Sequence, residues 1–225
     1  MARVVELSFP ASNTTAVAPL QTDITTPYVF SLNPYDGVND GTRYPPGVAT
    51  FNGRFARKIS LTSAGNMSGV NFTIVGTSLA GTALTEVLAG PNANTVESVN
   101  IYASITSITP DGAYTAVSAG TGSVGVFAPI VLSAYTPSMN WALNINVTST
   151  INYSVTGTLS RVFNPTGTTI ALNAAADVFA INAALTAATT DQYYTSTQEV
   201  SALFITINSS TGGSLTGQFL QQGQG

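Results

Sequence analysis

Histidine and cysteine are absent from all 225 residues, and only 7% of the chain is charged. Each absence closes a class of chemistry. Without cysteine there can be no disulfide, thiolate metal site or Cys nucleophile, and the redox compartment stays open. Without histidine the usual general base, the commonest metal ligand and any Ser-His-Asp triad are gone. The shortage of charge is as informative. Soluble domains carry about a quarter Asp, Glu, Lys and Arg; here there are six basic and ten acidic side chains. Area scaling gives a compact chain of this mass roughly 9,600 Å² of surface, about one charge per 600 Å². Such a surface protects poorly against association. A subunit packed against neighbours loses little by it, so the composition predicts an assembly component and no enzyme.

The positive residues are Arg3, Arg43, Arg54, Arg57, Lys58 and Arg161. They are too few for a nucleic-acid footprint, which needs a basic face. No run approaches the roughly 18 apolar residues of a membrane span. The opening Met1-Ala2-Arg3-Val4-Val5-Glu6 lacks the apolar core of a signal peptide, and the expectation is a protein made in a cytoplasm without an export address.

What is abundant is Ser, Thr, Asn, Gly and Ala, with 44% hydrophobic residues to build a core. Apolar and polar residues alternate in Val70–Ile74, in part of Ile101–Ile108, and most clearly in Met139–Val147, whose odd positions are all large and apolar. A pleated strand sends such positions to one face, whereas a helix would scatter them. Ile151–Val155 resumes the pattern after Ser149-Thr150, which predicts a hairpin or bend there; Leu203–Ile207 and Leu215–Leu220 are further strands. Turn signals fall between the runs at 63–66, 90–92, 110–112, 164–167 and 210–213. Short strands punctuated in this way predict an all-β protein of antiparallel β-sandwich or barrel-like architecture. Two strand-rich units are expected, 51–127 and 128–225, after an N-terminal arm or edge segment over residues 1–50. The Ala-rich stretch Asn173–Ala188 is expected to be a long loop with one helical segment.

Candidate sites are sparse. Asn33–Gly41 gathers oxygen-bearing side chains, but it lacks calcium-loop spacing and has the makings of an ordinary turn; no metal and no cofactor are expected. Arg54, Arg57 and Lys58 hold half of the positive charge. They suit either a solvated strand edge that discourages edge pairing or a contact with a neighbouring subunit. Glu86 and Glu97 could in principle serve as a glycosidase pair, which needs two carboxylates at a set separation. Among ten acidic residues some pair always invites that thought, and no catalytic residue is assigned. Tyr135, Tyr193 and Tyr194 are either ligand platforms or caps on a core.

The stretch Arg57–Thr77, with its basic-led strand, Ser63-Ala64-Gly65-Asn66 turn and Val70-Asn71-Phe72-Thr73-Ile74-Val75-Gly76-Thr77 strand, resembles structural proteins of tailed bacteriophages. The likeness continues through Ala83–Ala93, with its Gly90-Pro91-Asn92 turn, and through Val99–Ile108. It is looser at Tyr153–Val155 and Leu203–Thr216. It leaves residues 1–50 out, and the stretch from Asn173 departs from it. The resemblance implies a virion component assembled in a host cytoplasm, with no catalytic residues to carry over. A capsid decoration (cement) protein on the major capsid protein is the leading expectation. Tail, neck or fibre-base proteins are the alternatives, and a glycan-directed enzyme ranks last. Self-association is expected, with other virion proteins as partners and neither nucleic acid nor membrane. The arm over residues 1–50 is expected to reach a neighbour by adding a strand to an exposed edge.

Overall fold

The computed structural model describes residues 3–33, 49–50, 55–132, 140–159, 177–197 and 199–221. Within them the chain is all-β and sandwich-like, with antiparallel sheets that do not close into a barrel. By internal contacts it divides into a first unit, Ser12–Gly125, and a second, Met1–Ala11 with Val126–Gly225.

The first unit holds β2 (Ala18–Asp23), β3 (Ala49–Thr50), β4 (Phe55–Ser63), β5 (Asn71–Thr77), β6 (Ala83–Ala89), β7 (Thr95–Glu97), β8 (Ser104–Pro110) and most of β9 (Tyr114–Phe127). Four of these form a sheet in the order β3-β8-β5-β6, while β2, β9, β4 and β7 hydrogen-bond in series. Alternation explains the packing between the two layers. In β5 the even positions Phe72 and Ile74 are fully buried, while Thr73 and Val75 are only half-buried. Phe72, Tyr114 and Phe30 meet as an aromatic trio, with ring centroids 5.4 to 6.0 Å apart. Such pairs add about 0.5–1.5 kcal/mol beyond the area they bury.

The second unit holds β1 (Arg3–Phe9), β10 (Ile130–Val131), β11 (Trp141–Thr158), β12 (Val178–Ala180), β13 (Gln192–Ser196) and β14 (Ala202–Gln221). Strands β11 and β14, of 18 and 20 residues, pair along their whole length. One end of this ribbon is widened to the order β1-β14-β11-β13. The expected break at Ser149-Thr150 is a bend within one strand. Ser149 takes φ 56° and Gly212 φ 71°, and the register slips where Thr150 faces both Thr211 and Gly212. This is bulge geometry. The Ser210–Gly213 turn signal therefore marks the same bulge from the partner strand, and Leu203–Ile207 and Leu215–Leu220 belong to one strand.

The described residues of the stretch 1–50 are shared between the units. Strand β1 pairs with β14 and buries Leu7 and Phe9, the latter 5.9 Å from Phe127. Strand β2 pairs with β9. The strand addition expected of residues 1–50 on a neighbour is thus used by residues 3–9 inside their own unit. The Ala-rich stretch carries β12 and a single 3-10 turn, Ala183–Leu185, capped by the Asn182 side chain accepting from the Ala184 amide at 2.8 Å. Its residues 173–176 lie outside the described residues.

Candidate functional site

Of the three clustered cations, Arg54 lies outside the described residues. Arg57 is fully buried. Its backbone exchanges two hydrogen bonds with Tyr102, at 2.9 and 2.8 Å, and its Nη2 donates to the Gly122 carbonyl at 2.7 Å. Lys58 is half-buried. The reading of this cluster as a solvated edge is therefore corrected for Arg57: β4 lies between β9 and β7, and seven of its nine residues are buried. Period-two alternation already grouped Arg57 with Ile59 and Leu61, both wholly buried, so a signal for its inward direction was present.

The carboxylates tell a consistent story. Glu86 accepts from the amides of Val99 and Asn100, at 2.6 and 2.9 Å, one on each oxygen. Glu97 accepts from the amide and hydroxyl of Ser123, at 2.8 and 3.1 Å. Asp23 binds the amides of Thr25 and Val29, Asp111 that of Asn71, and Asp191 that of Val147. Each ties a strand or loop to its neighbour by a charge-assisted bond. Glu86 and Glu97 are thus bound to different donors of their own chain, and both oxygens of each are engaged.

The ties of Asp23 and Asp111 carry a pH dependence. Asp23 is held below the ordinary aspartate value of 3.8 by the Val29 and Thr25 amides, and Asp111 by the amide and side chain of Asn71. With the folded value depressed, the unfolded chain takes up more protons on acidification. The stabilisation is complete above pH 3.8 and is lost as pH falls through the lower folded values. Amide hydrogen exchange should show Val29 and Asn71 losing protection in that acid window. Asp111→Asn should remove the pH dependence at Asn71, whereas steady Asn71 protection in the unaltered chain throughout the window would contradict the assignment.

The tyrosines divide. Tyr153 and Tyr114 have their hydroxyls directed to the carbonyls of Thr190 and Val29. Burial and then nearby Asp191 push the Tyr153 hydroxyl up to about 12, and burial followed by Asp23 raises that of Tyr114. Tyr194 packs on Trp141 with centroids 5.5 Å apart, as a core cap does, while Tyr193 stands 73% exposed. Tyr135 and residues 34–41 of the oxygen-rich loop lie outside the described residues. Among the described residues there is no group of three side chains suited to hold a metal.

Register places Tyr193 in a row across the outer face of the second unit: Glu6, Gln218, Asn144, Tyr193. The next row is Val4, Leu220, Ala142, Thr195. Beside it an open groove of about 590 Å³ is lined by Trp141, Leu220 and Thr195–Thr197 among others. In the first unit the outer face of β5 and β6 is Asn71, Thr73, Val75, Thr77, Ala83, Thr85, Val87 and Ala89, with no ionisable side chain. Fold and faces together define an all-β protein with predominantly neutral, weakly polar sheet surfaces. No family model matches the chain, and no curated protein matches it.

Proposed function

We propose that the chain is a structural component of a bacteriophage particle, a capsid decoration or cement protein that binds the lattice of the major capsid protein and self-associates. The observation that supports this reading best is the division of its polar groups. Five carboxylates serve as internal ties, and the sheet faces carry mainly Asn, Gln, Thr, Ser and small apolar side chains. Covering such a face desolvates little charge, so hydrogen bonds and apolar contact can stabilise the contact without a large penalty. Cementing is differential binding. A protein that engages the mature shell and not its precursor stabilises the former by mass action, repeated over many sites. The likeness of Arg57–Thr77 to tailed-phage structural proteins points the same way.

The exposed Tyr193 ring and the adjoining groove favour a second reading, an adhesion module of the tail, neck or fibre base that contacts a host glycan. Stoichiometry separates the two. Quantitative mass spectrometry of purified particles should find the chain in proportion to the major capsid protein. A few copies confined to the tail would favour the second reading, and absence from particles would end both.

A further inference from the structure

Among the described residues strand β6 is an edge of its sheet, and Glu86 is the one guard it carries. Proteins blunt free edges with Lys, Pro, bulges or very short strands. Ala83-Leu84-Thr85-Glu86-Val87-Leu88-Ala89 has no Lys, Arg or Pro, pairs with β5 over all seven residues, and shows no register shift. Of the other edges among the described residues, β3 has two residues, β7 three, β12 three and β13 five, while β1, of seven, carries Arg3 and Glu6.

The order of residues in β6 says what fits there. Read outward from Glu86, the strand is nearly symmetric: Thr85 and Val87, then Leu84 and Leu88, then Ala83 and Ala89. Antiparallel pairing of two copies centred on Glu86 sets Ala opposite Ala, Leu opposite Leu, and Thr opposite Val, two β-branched residues of similar shape. Cross-strand pairs of this kind stabilise sheets. One residue should object, because Glu86 would face Glu86. Its carboxylate, however, is already bound to the amides of Val99 and Asn100. Those amides hold the carboxylate toward its own loop, and the Glu86 pair is left as the one unfavourable contact of the seven. Val87 and Val99 remain 63% and 81% exposed.

We propose that two copies of this chain join edge to edge through β6, antiparallel, about a twofold axis beside Glu86, so that their four-stranded sheets become continuous. The twofold makes the contact isologous and closed, which gives dimers and not fibres. The proposal rests on the self-association in the function proposed above and supplies its interface, but the two fail separately. A stable dimer missing from particles sinks the particle role alone; a monomer that is incorporated sinks this interface alone.

Light scattering on the eluting full-length chain should give a mass about twice 23.1 kDa. Thr85→Lys with Val87→Lys sets like charges opposite each other across the axis and should return the mass to that of one chain, with the β-rich spectrum kept. Mixing it with a Thr85→Glu, Val87→Glu chain should restore a dimer containing one of each. The chain lacks cysteine, so Thr85→Cys with Val87→Cys adds the only thiols. Mild oxidation should link position 85 of one copy to 87 of the other, read by peptide mass spectrometry. A monomer at every concentration, or a dimer indifferent to the lysines and without that cross-link, overturns the proposal.

Discussion

Arg57→Ala is expected to lower the stability of the unit Ser12–Gly125 by about 3–5 kcal/mol, the sum of a cavity and an abandoned hydrogen bond. Arg57 is fully buried and donates to the Gly122 carbonyl. Truncation empties the space of a long side chain and strands that carbonyl. Arg57→Met should cost clearly less, because it refills most of the volume and removes the need to bury a cation. Arg57→Lys should not restore the original value, since a point charge on a flexible stem cannot reproduce a planar fork of donors. Denaturant titration of the three variants checks the order, with the midpoint falling and the slope unchanged. Were Arg57→Ala within about 1 kcal/mol of the unaltered chain while assembly was lost, the residue would be acting at a subunit contact instead; a surface residue is expected to lie within that range.

Gly120→Ala is the second large effect, about 3 kcal/mol. A methyl group at this position would meet the Asn13 carbonyl and the Thr14 backbone, neither of which can swing aside. The contact is tight because three hydrogen bonds close it. The Thr121 amide donates to the Asn13 carbonyl at 2.9 Å, the Asn13 amide to Thr121 Oγ1 at 2.9 Å, and the Val17 amide to the Ala119 carbonyl at 3.1 Å. The expected result is a loss of exchange protection at Val17 and Thr121 together with a lower melting temperature. Two other glycines set the scale. At Gly122 the added carbon would press on Lys58 Cβ, which the backbone holds, and on the Glu97 carboxylate, which Ser123 holds, so a comparable cost is expected. At Gly69 nothing lies within 4 Å, so little change is expected. An unchanged melt for Gly120→Ala would mean that the 13–17 segment does not lie against β9.

Much of the architecture was legible along the chain. The alternation read in Met139–Val147 holds over Trp141–Asn146, where one face of β11 packs on a core and the other faces out. Trp141, Leu143 and Ile145 are buried, and Asn144 and Asn146 are exposed. The bulge was read less well. Gly212-Gly213 has the composition of a hairpin turn, and only the opposed Ser149-Thr150, some sixty residues away, shows that the strand continues through it. Nothing local distinguishes a turn from a bulge, because both need the same backbone freedom. The roles of Glu86 and Glu97 were equally hidden. A carboxylate that holds a loop and one that faces solvent have the same letter, and what separates them is which amides the fold brings within reach.

Composition and periodicity by themselves determined the all-β class, the scarcity of charge and the exclusion of His- and Cys-based chemistry. Each of these is a count or a local pattern and needs no partner elsewhere in the chain. Tertiary structure alone decided that Arg57 donates to the Gly122 carbonyl, that residues 3–9 pair with residues 215–221, that carboxylates act as ties, and that β6 is an edge among the described residues. Those outcomes depend on contacts between residues far apart in sequence, whose free energy exists only once the chain has folded.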